Sequence, residues 1–129
     1  MHVTSISHGI SEKEIEKMHP SWADVDARLR ALDGEQSDGI VLGSPADTYM
    51  GISGGENNRY IVAGYLEGFG SYIIASGDPA GDRQDVVICN DYAAFPSRNI
   101  VGLEEAILAA RSFFETGQLT AELKWEKQS

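Results

Sequence analysis

The spacing of apolar residues along the chain predicts a first helix between residues 21 and 32. The side chains that recur every three or four positions there are Trp22, Val25, Leu29 and Leu32. This spacing is typical of a helix with one apolar face. Ser21 and Asp24, in "SWAD", have the spacing of a capping box at its start. Gly34 is suited to its C-terminal stop.

Between residues 39 and 90 the pattern changes to that of short strands. The segments rich in Val, Ile and Tyr are "GIVLG", "TYMGIS", "RYIVAGYL", "SYIIAS" and "DVVICN". Gly, Asn and Asp separate them, as in "GGENN", "EGFG" and "GDPAGDRQ". Connections this short join antiparallel neighbours, because a parallel crossover needs a dozen or more residues. The pattern therefore predicts an antiparallel meander of four or five strands.

Both ends of the chain carry further elements. "LEEAILAARSFFETG" returns to helical spacing and ends at Gly117, and "ELKWE" alternates as a half-buried strand does. At the N-terminus, His2–Ser7 is a possible short strand and "SEKEIEK" is typical of a helical or frayed segment. The predicted fold class is α+β, an antiparallel β-meander of about five to six strands with two main helices packed on one face.

Length, composition and charge restrict the classes of function. The 129 residues suit one domain, no apolar run spans a bilayer, and no basic-then-apolar leader opens the chain. The single Cys89 cannot form an internal disulfide, so we expect a cytoplasmic location. Twenty acidic against ten basic residues give a formal net charge of −10. This charge argues against nucleic-acid and membrane partners. It serves either solubility alone or steering toward a basic protein.

The stretch "GISGG" has the G-x-S-x-G form of a nucleophile elbow, with Ser53 in the place of the nucleophile. An elbow needs a strand-to-helix turn with a histidine later in the chain. Here turn and strand signals follow, and all three histidines, His2, His8 and His19, come before the serine. A glycine-rich hairpin corner is the favoured interpretation.

Other candidate chemistry is weak. Cys89 lies inside an apolar strand and fits a buried position better than that of a nucleophile. Asp78, Asp82 and Asp85 do not alternate as calcium ligands do, and Arg83 among them would oppose a cation. We therefore expect no catalytic residue, no metal and no cofactor.

Polar residues at the ends of the predicted strands are the candidate binding residues, because loops on a rigid scaffold often carry function. They are Glu56, Asn57, Asn58, Glu67, Asp78, Asp82, Asp91 and Tyr92. Turns also favour these residue types for structural reasons. Since alternate hairpin turns lie at opposite ends of a sheet, these residues cannot all form one patch.

The segment "NIVGLEEAILAARSFFETGQLTAELKWE" resembles the closing helix and strand of immunity protein family 1 of bacterial polymorphic toxin systems. The shared features are the amphipathic helix, the pair Phe113-Phe114, the "TG" stop and the strand with Trp125. The "GISGG" corner entering "RYIVAGYL" is similar to that family's central hairpin. The resemblance covers residues 99–126 well and 48–76 more loosely. Members often carry a basic residue and a proline where this chain has "QLTAE".

The resemblance implies a single immunity-protein-like domain over residues 1–129, non-enzymatic and cytoplasmic, that binds and blocks a cognate toxin domain. Toxins of such families include nucleases and nucleic-acid deaminases, whose clefts are basic. The acidic turn residues would then guide the encounter, with Tyr92 or a tyrosine of the meander as an anchor. Two other classes stay open: a subunit that self-associates through a sheet edge, as in a homodimer, and a small enzyme using Ser53 or Cys89.

Overall fold

The computed structural model describes residues 5–10, 13–33, 37–44, 48–88 and 91–128. Within these ranges the chain forms two helices and nine strands. The helices are α1 (Trp22–Arg30) and α2 (Leu103–Thr116). The strands are β1 (Ser5–Ile10), β2 (Lys13–Met18), β3 (Ser37–Gly43), β4 (Tyr49–Gly54), β5 (Tyr60–Leu66), β6 (Gly70–Ile74), β7 (Gln84–Ile88), β8 (Asp91–Phe95) and β9 (Trp125–Gln128).

Seven of these strands form one antiparallel sheet, in the order β2-β1-β3-β4-β5-β6-β9. Its centre is the predicted meander, in which β3 to β6 pair consecutively. The predicted C-terminal strand is β9, which places Trp125 opposite Ile74 on β6. The α+β fold class is confirmed.

The N-terminal part of the sheet differs from the sequence prediction. The acid-base segment expected to be helical or frayed is instead the edge strand β2, paired in register with β1 from Ser5↔Met18 to Ile10↔Lys13. A helix this short is marginal on its own, whereas pairing with β1 satisfies the backbone. A strand rich in Lys and Glu also protects the sheet edge from further pairing. The strand expected over His2–Ser7 is described from Ser5 onward, and its first part lies outside the described residues.

The segment "DVVICN" does not extend the meander. Its described part lies in β7, which pairs with β8 in a separate hairpin. The edge of β6 is already occupied by β9, so β7 has no place beside it. Val86 of the hairpin packs instead on Ile61 and Ile73, on the far face of the main sheet. Cys89, predicted to be buried in this segment, lies outside the described residues.

The two helices pack on the other face, as predicted. The core there joins both helices to alternating positions of the central strands, including Val25, Leu29, Ile40, Leu42, Met50, Ile52, Val62, Phe113 and Phe114. The Phe114 ring lies 5.7 Å from that of Trp22, which joins α2 to α1. No helix among the described residues is long and apolar enough to cross a membrane.

The predicted capping box opens α1. The Ser21 hydroxyl accepts a hydrogen bond from the Asp24 N–H (3.2 Å), and the Asp24 carboxylate accepts one from the Ser21 N–H (2.9 Å). The Ser21 bond, with Lys17 3.0 Å away, holds the pKa of Asp24 below its ordinary value. The helix ends at Arg30 with Ala31 as C-cap, and Gly34, its expected stop, lies outside the described residues.

A polar network fixes the last strand. The Glu126 carboxylate accepts hydrogen bonds from the Asn99 amide (2.7 Å) and the Arg98 guanidinium (3.0 Å), and these lower its pKa. A carboxyl whose pKa is lower in the folded state adds stability above its unfolded pKa and loses it as the pH falls through the folded value.

Replacing Glu126 by glutamine should therefore make the free energy of unfolding less dependent on pH at acidic pH. We expect the difference in the free energy of unfolding between wild type and Glu126→Gln to become smaller as the pH falls below the ordinary pKa of a glutamate. Urea melts at a series of pH values measure this, with Glu122→Gln, on an exposed turn, as the control. A difference that stays constant with pH would contradict the role given to the carboxylate.

Candidate functional site

Ser53 does not occupy a nucleophile elbow. It lies within β4, opposite Gly39 on one side and Ile61 on the other. The turn after it, through Gly54 (φ 102°) and Gly55 (φ 116°), leads through a single 3₁₀ turn into β5 and not into an α-helix. A Cβ at position 55 would collide with the carbonyl oxygen of Leu32, so the close approach of the chain after α1 accounts for this glycine. The corner has the geometry of a hairpin.

Metal ligation finds no support in the part of the chain that the structure describes, because no group of three or more His, Cys, Asp or Glu lies close enough to hold an ion. His19 is exposed, with a left-handed backbone (φ 52°). Two hydrogen bonds order the acidic loop at Asp78. The Asp78 carboxylate accepts one from the Ala80 N–H (2.9 Å), and the Asp78 carbonyl accepts one from the Ser97 hydroxyl (2.6 Å).

The predicted binding residues lie in separate places. Glu56, Asn57 and Asn58 form a 3₁₀ turn between β4 and β5, and Glu67 lies at the other end of β5. A seven-residue strand separates its ends by about 20 Å. Exposed Asp78 and Asp82 lie in the connection from β6 to β7. Asp91 and Tyr92 open β8, and their side chains lie outside the described part of the chain.

Asn58 also has a structural role. Its side-chain oxygen accepts a hydrogen bond from the Leu103 N–H (2.9 Å), at the start of α2. The residue before the helix, Gly102, has no side chain to supply such a cap. Glu104 and Glu105 stand beside Asn58, and Glu105 accepts from the Gly102 N–H (3.1 Å). The surface around Asn58 and the start of α2 is therefore acidic. The Asn58 side chain also caps the first turn of that helix.

Replacing Asn58 by alanine should lower the free energy of unfolding by about 1 kcal/mol more than the same change at Asn57, because it also removes a cap. Both residues have left-handed backbones (φ 58° and 55°), so the pair controls for backbone strain. Chemical denaturation of the two variants measures the difference. Equal losses would contradict the capping role.

A partly exposed aromatic pair lies on the sheet face opposite the helices. The Tyr49 and Tyr65 rings stack 5.6 Å apart at 22°, from directly paired positions of β4 and β5. Tyr49 is 48% exposed, and Val41, on the same face, is 45% exposed. Gly51 and Ala63 lie between them and keep the surface flat. We call Val41, Tyr49, Gly51, Ala63 and Tyr65 the open face.

The sequence contains a signal for the position of the open face. The family resemblance predicts a tyrosine of the meander as an anchor, without a position. Tyr49 alternates with the buried Met50 and Ile52, which places it on the other face of its strand. What the sequence does not tell is how far the β7–β8 hairpin covers that face, because this depends on which edge β7 pairs with.

A recess of about 470 Å³ lies at the end of the sheet where β5 turns into β6. It is lined by Thr48, Leu66, Glu67, Phe69, Tyr72, Thr116, Gly117, Gln118 and Leu119, and we call it the β5–β6 recess. Phe69, at the turn, is 66% exposed. Of the predicted binding residues, this recess contains Glu67. Sequence reasoning missed Phe69, although a phenylalanine in the turn "EGFG" is a signal in itself.

Comparison with known proteins identifies a family. A search of curated proteins finds no match. The family model described as Immunity protein Imm1 matches residues 14–127, which includes both helices, the central meander, the separate hairpin and nearly all of β9. The match confirms the immunity-protein resemblance and extends it toward the N-terminus, over β2 and α1. The chain belongs to the Immunity protein Imm1 family.

Proposed function

We propose that this protein is a non-catalytic immunity protein of a bacterial polymorphic toxin system. It acts in the cytoplasm as one domain, binds a cognate toxin domain and neutralises it. The single observation that carries the proposal is the family match over residues 14–127. An immunity protein implies a toxin partner, and blocking by binding requires no catalytic residue of its own.

Charge supports a basic partner. The chain carries a net charge of −10, and a nuclease or nucleic-acid deaminase needs a basic cleft to hold its substrate. An acidic protein that covers such a cleft gains association rate from long-range attraction. We assign the encounter to the acidic and polar residues at the strand ends, which are Glu56, Asn57, Asn58, Glu67, Asp78, Asp82 and Asp91, and we keep Tyr92 as a candidate anchor.

The open face suits the packed centre of the interface. Binding energy concentrates in a few large side chains near the middle of an interface, and tyrosine is among the most frequent. Tyr49 and Tyr65 are held by their stacking on two paired strands, so little side-chain freedom is lost on binding. Half-exposed Tyr49 has apolar surface to bury against a partner.

Growth rescue tests the proposed function. The C-terminal domain of the protein encoded immediately upstream, as the candidate toxin, is expressed with and without this protein and with its Ser53→Ala and Cys89→Ala variants. We expect the wild type and both variants to restore growth equally. A toxic neighbour that is left unrescued would contradict the pairing, and loss of rescue by Ser53→Ala in a folded variant would favour an enzyme.

Self-association through a sheet edge is the alternative that the edge strands oppose. The edges of the seven-stranded sheet are β2, with the sequence "KEIEKM", and the four-residue β9, "WEKQ". Short, charged edge strands resist pairing with a second copy. We expect light scattering at high protein concentration to show a monomer. A dimer would favour the alternative that the protein is a self-associating subunit.

A further inference from the structure

We propose that the β5–β6 recess binds one arginine or lysine side chain of the toxin domain. The inference rests on the proposed function and deepens it, because it names the chemistry of one contact. A long basic side chain has an aliphatic stem and a charged end, and it is best held by an apolar wall beside a negative group. The recess offers both.

The walls are apolar and aromatic. Leu66 and Leu119, which pack against the main core, line the recess together with Phe69 and Tyr72. Phe69 is 66% exposed, so most of its ring surface is open to contact by a bound side chain. An aromatic face also attracts a guanidinium or ammonium group. These walls suit the stem of a basic side chain.

Two independent features make the recess attractive to a cation. The first is Glu67, an exposed carboxylate in the lining. Its backbone N–H donates to the Thr48 hydroxyl (3.2 Å), which fixes the turn that carries it. The charge is thus presented from an ordered position beside the apolar wall.

The second feature is the C-terminus of α2, whose last residue Thr116 and C-cap Gly117 also line the recess. A helix of fourteen residues has its negative dipole end there. Its last turn has no basic residue to offset the dipole, and the Glu115 carboxylate there is paired with Arg111 (2.7 Å). Lys127 on β9 pairs with Tyr72 and its stem lies over Gly70, but it does not line the recess. The described lining residues therefore include no basic side chain that would repel a cation.

The test measures the complex with the upstream toxin domain, made inactive by an active-site substitution, by calorimetry. Glu67→Gln and Phe69→Ala are each expected to raise Kd about tenfold. Glu122→Gln and Leu108→Ala, exposed changes elsewhere, should alter it less than about twofold. All four positions are exposed, and thermal melts check that each variant folds.

Each basic residue on the toxin surface is then changed to methionine and measured against wild type and Glu67→Gln. One such residue should lose affinity with wild type and not with Glu67→Gln, since its charge partner is already gone. A tight complex that tolerates both recess variants, or in which no basic residue couples to Glu67, overturns this inference and leaves the proposed function intact. Failure to form any complex removes the proposed function, and this inference with it.

Discussion

Replacing Phe114 by alanine is expected to lower the free energy of unfolding by about 3–5 kcal/mol. The side chain is 7% exposed and packs 5.7 Å from the Trp22 ring. It therefore contributes both to the sheet-facing core and to the contact between the helices. Truncation leaves a cavity beside Trp22, and close-packed surroundings relax into such a cavity only in part. Urea denaturation measures the loss.

The matched control is Leu108→Ala on the same helix. Leu108 is 38% exposed, and alanine preserves the helical preference of the position. We expect this change to cost less than about 1 kcal/mol. Similar losses at the two positions, or a Phe114→Ala variant as stable as the wild type, would contradict the placement of α2 on the sheet.

Replacing Tyr49 by alanine is expected to weaken toxin binding about thirtyfold while leaving the fold intact. The residue is 48% exposed on the open face and is stacked on Tyr65, so its removal takes away a preorganised apolar contact. Because the two rings contact each other, the loss in a Tyr49→Ala/Tyr65→Ala double variant should differ from the sum of the single losses. Calorimetry on the complex measures all three values.

Leu108→Ala provides the control for this prediction. Leu108 is 38% exposed on α2, which packs on the opposite face of the sheet from Tyr49. Its truncation removes a comparable exposed apolar side chain and should change Kd less than about twofold. An unchanged affinity in Tyr49→Ala, with the toxin still neutralised, would move the interface to another surface.

The elements with strong local signals could be predicted from the sequence. α1 follows from its capping box and apolar spacing, and α2 from its apolar face and the left-handed Gly117 that ends it. The central strands follow from short Val- and Ile-rich segments between glycine turns. These features depend on residues that are close together in the sequence, so they can be predicted without knowing the fold.

The remaining differences depend on contacts distant in sequence. β2 is a strand because β1 pairs with it, and β7 leaves the main sheet because β9, some forty residues later, takes the edge of β6. Asn58 caps α2 from 45 positions before Leu103. The open face depends in the same way on how much of the sheet β7 and β8 cover.

The candidate surfaces were predicted only in outline. Turn chemistry pointed to Glu67 and to the 56–58 corner, and the alternation of hairpin turns predicted that they lie at opposite ends of a strand, about 20 Å apart. Turn chemistry could not bring the end of α2 together with the β5–β6 turn to make a recess. Which turn lies beside which helix end depends on tertiary packing between segments that are far apart in the sequence.

The most direct test of the account titrates this protein into a fixed amount of the active toxin domain and follows the residual toxin activity. A stoichiometric inhibitor should reduce that activity linearly to zero at one molecule per toxin, with nanomolar binding of the same stoichiometry by calorimetry. Complete loss of toxin activity at a small fraction of one equivalent would indicate turnover by an enzyme. Full activity at an excess of this protein would contradict neutralisation by binding.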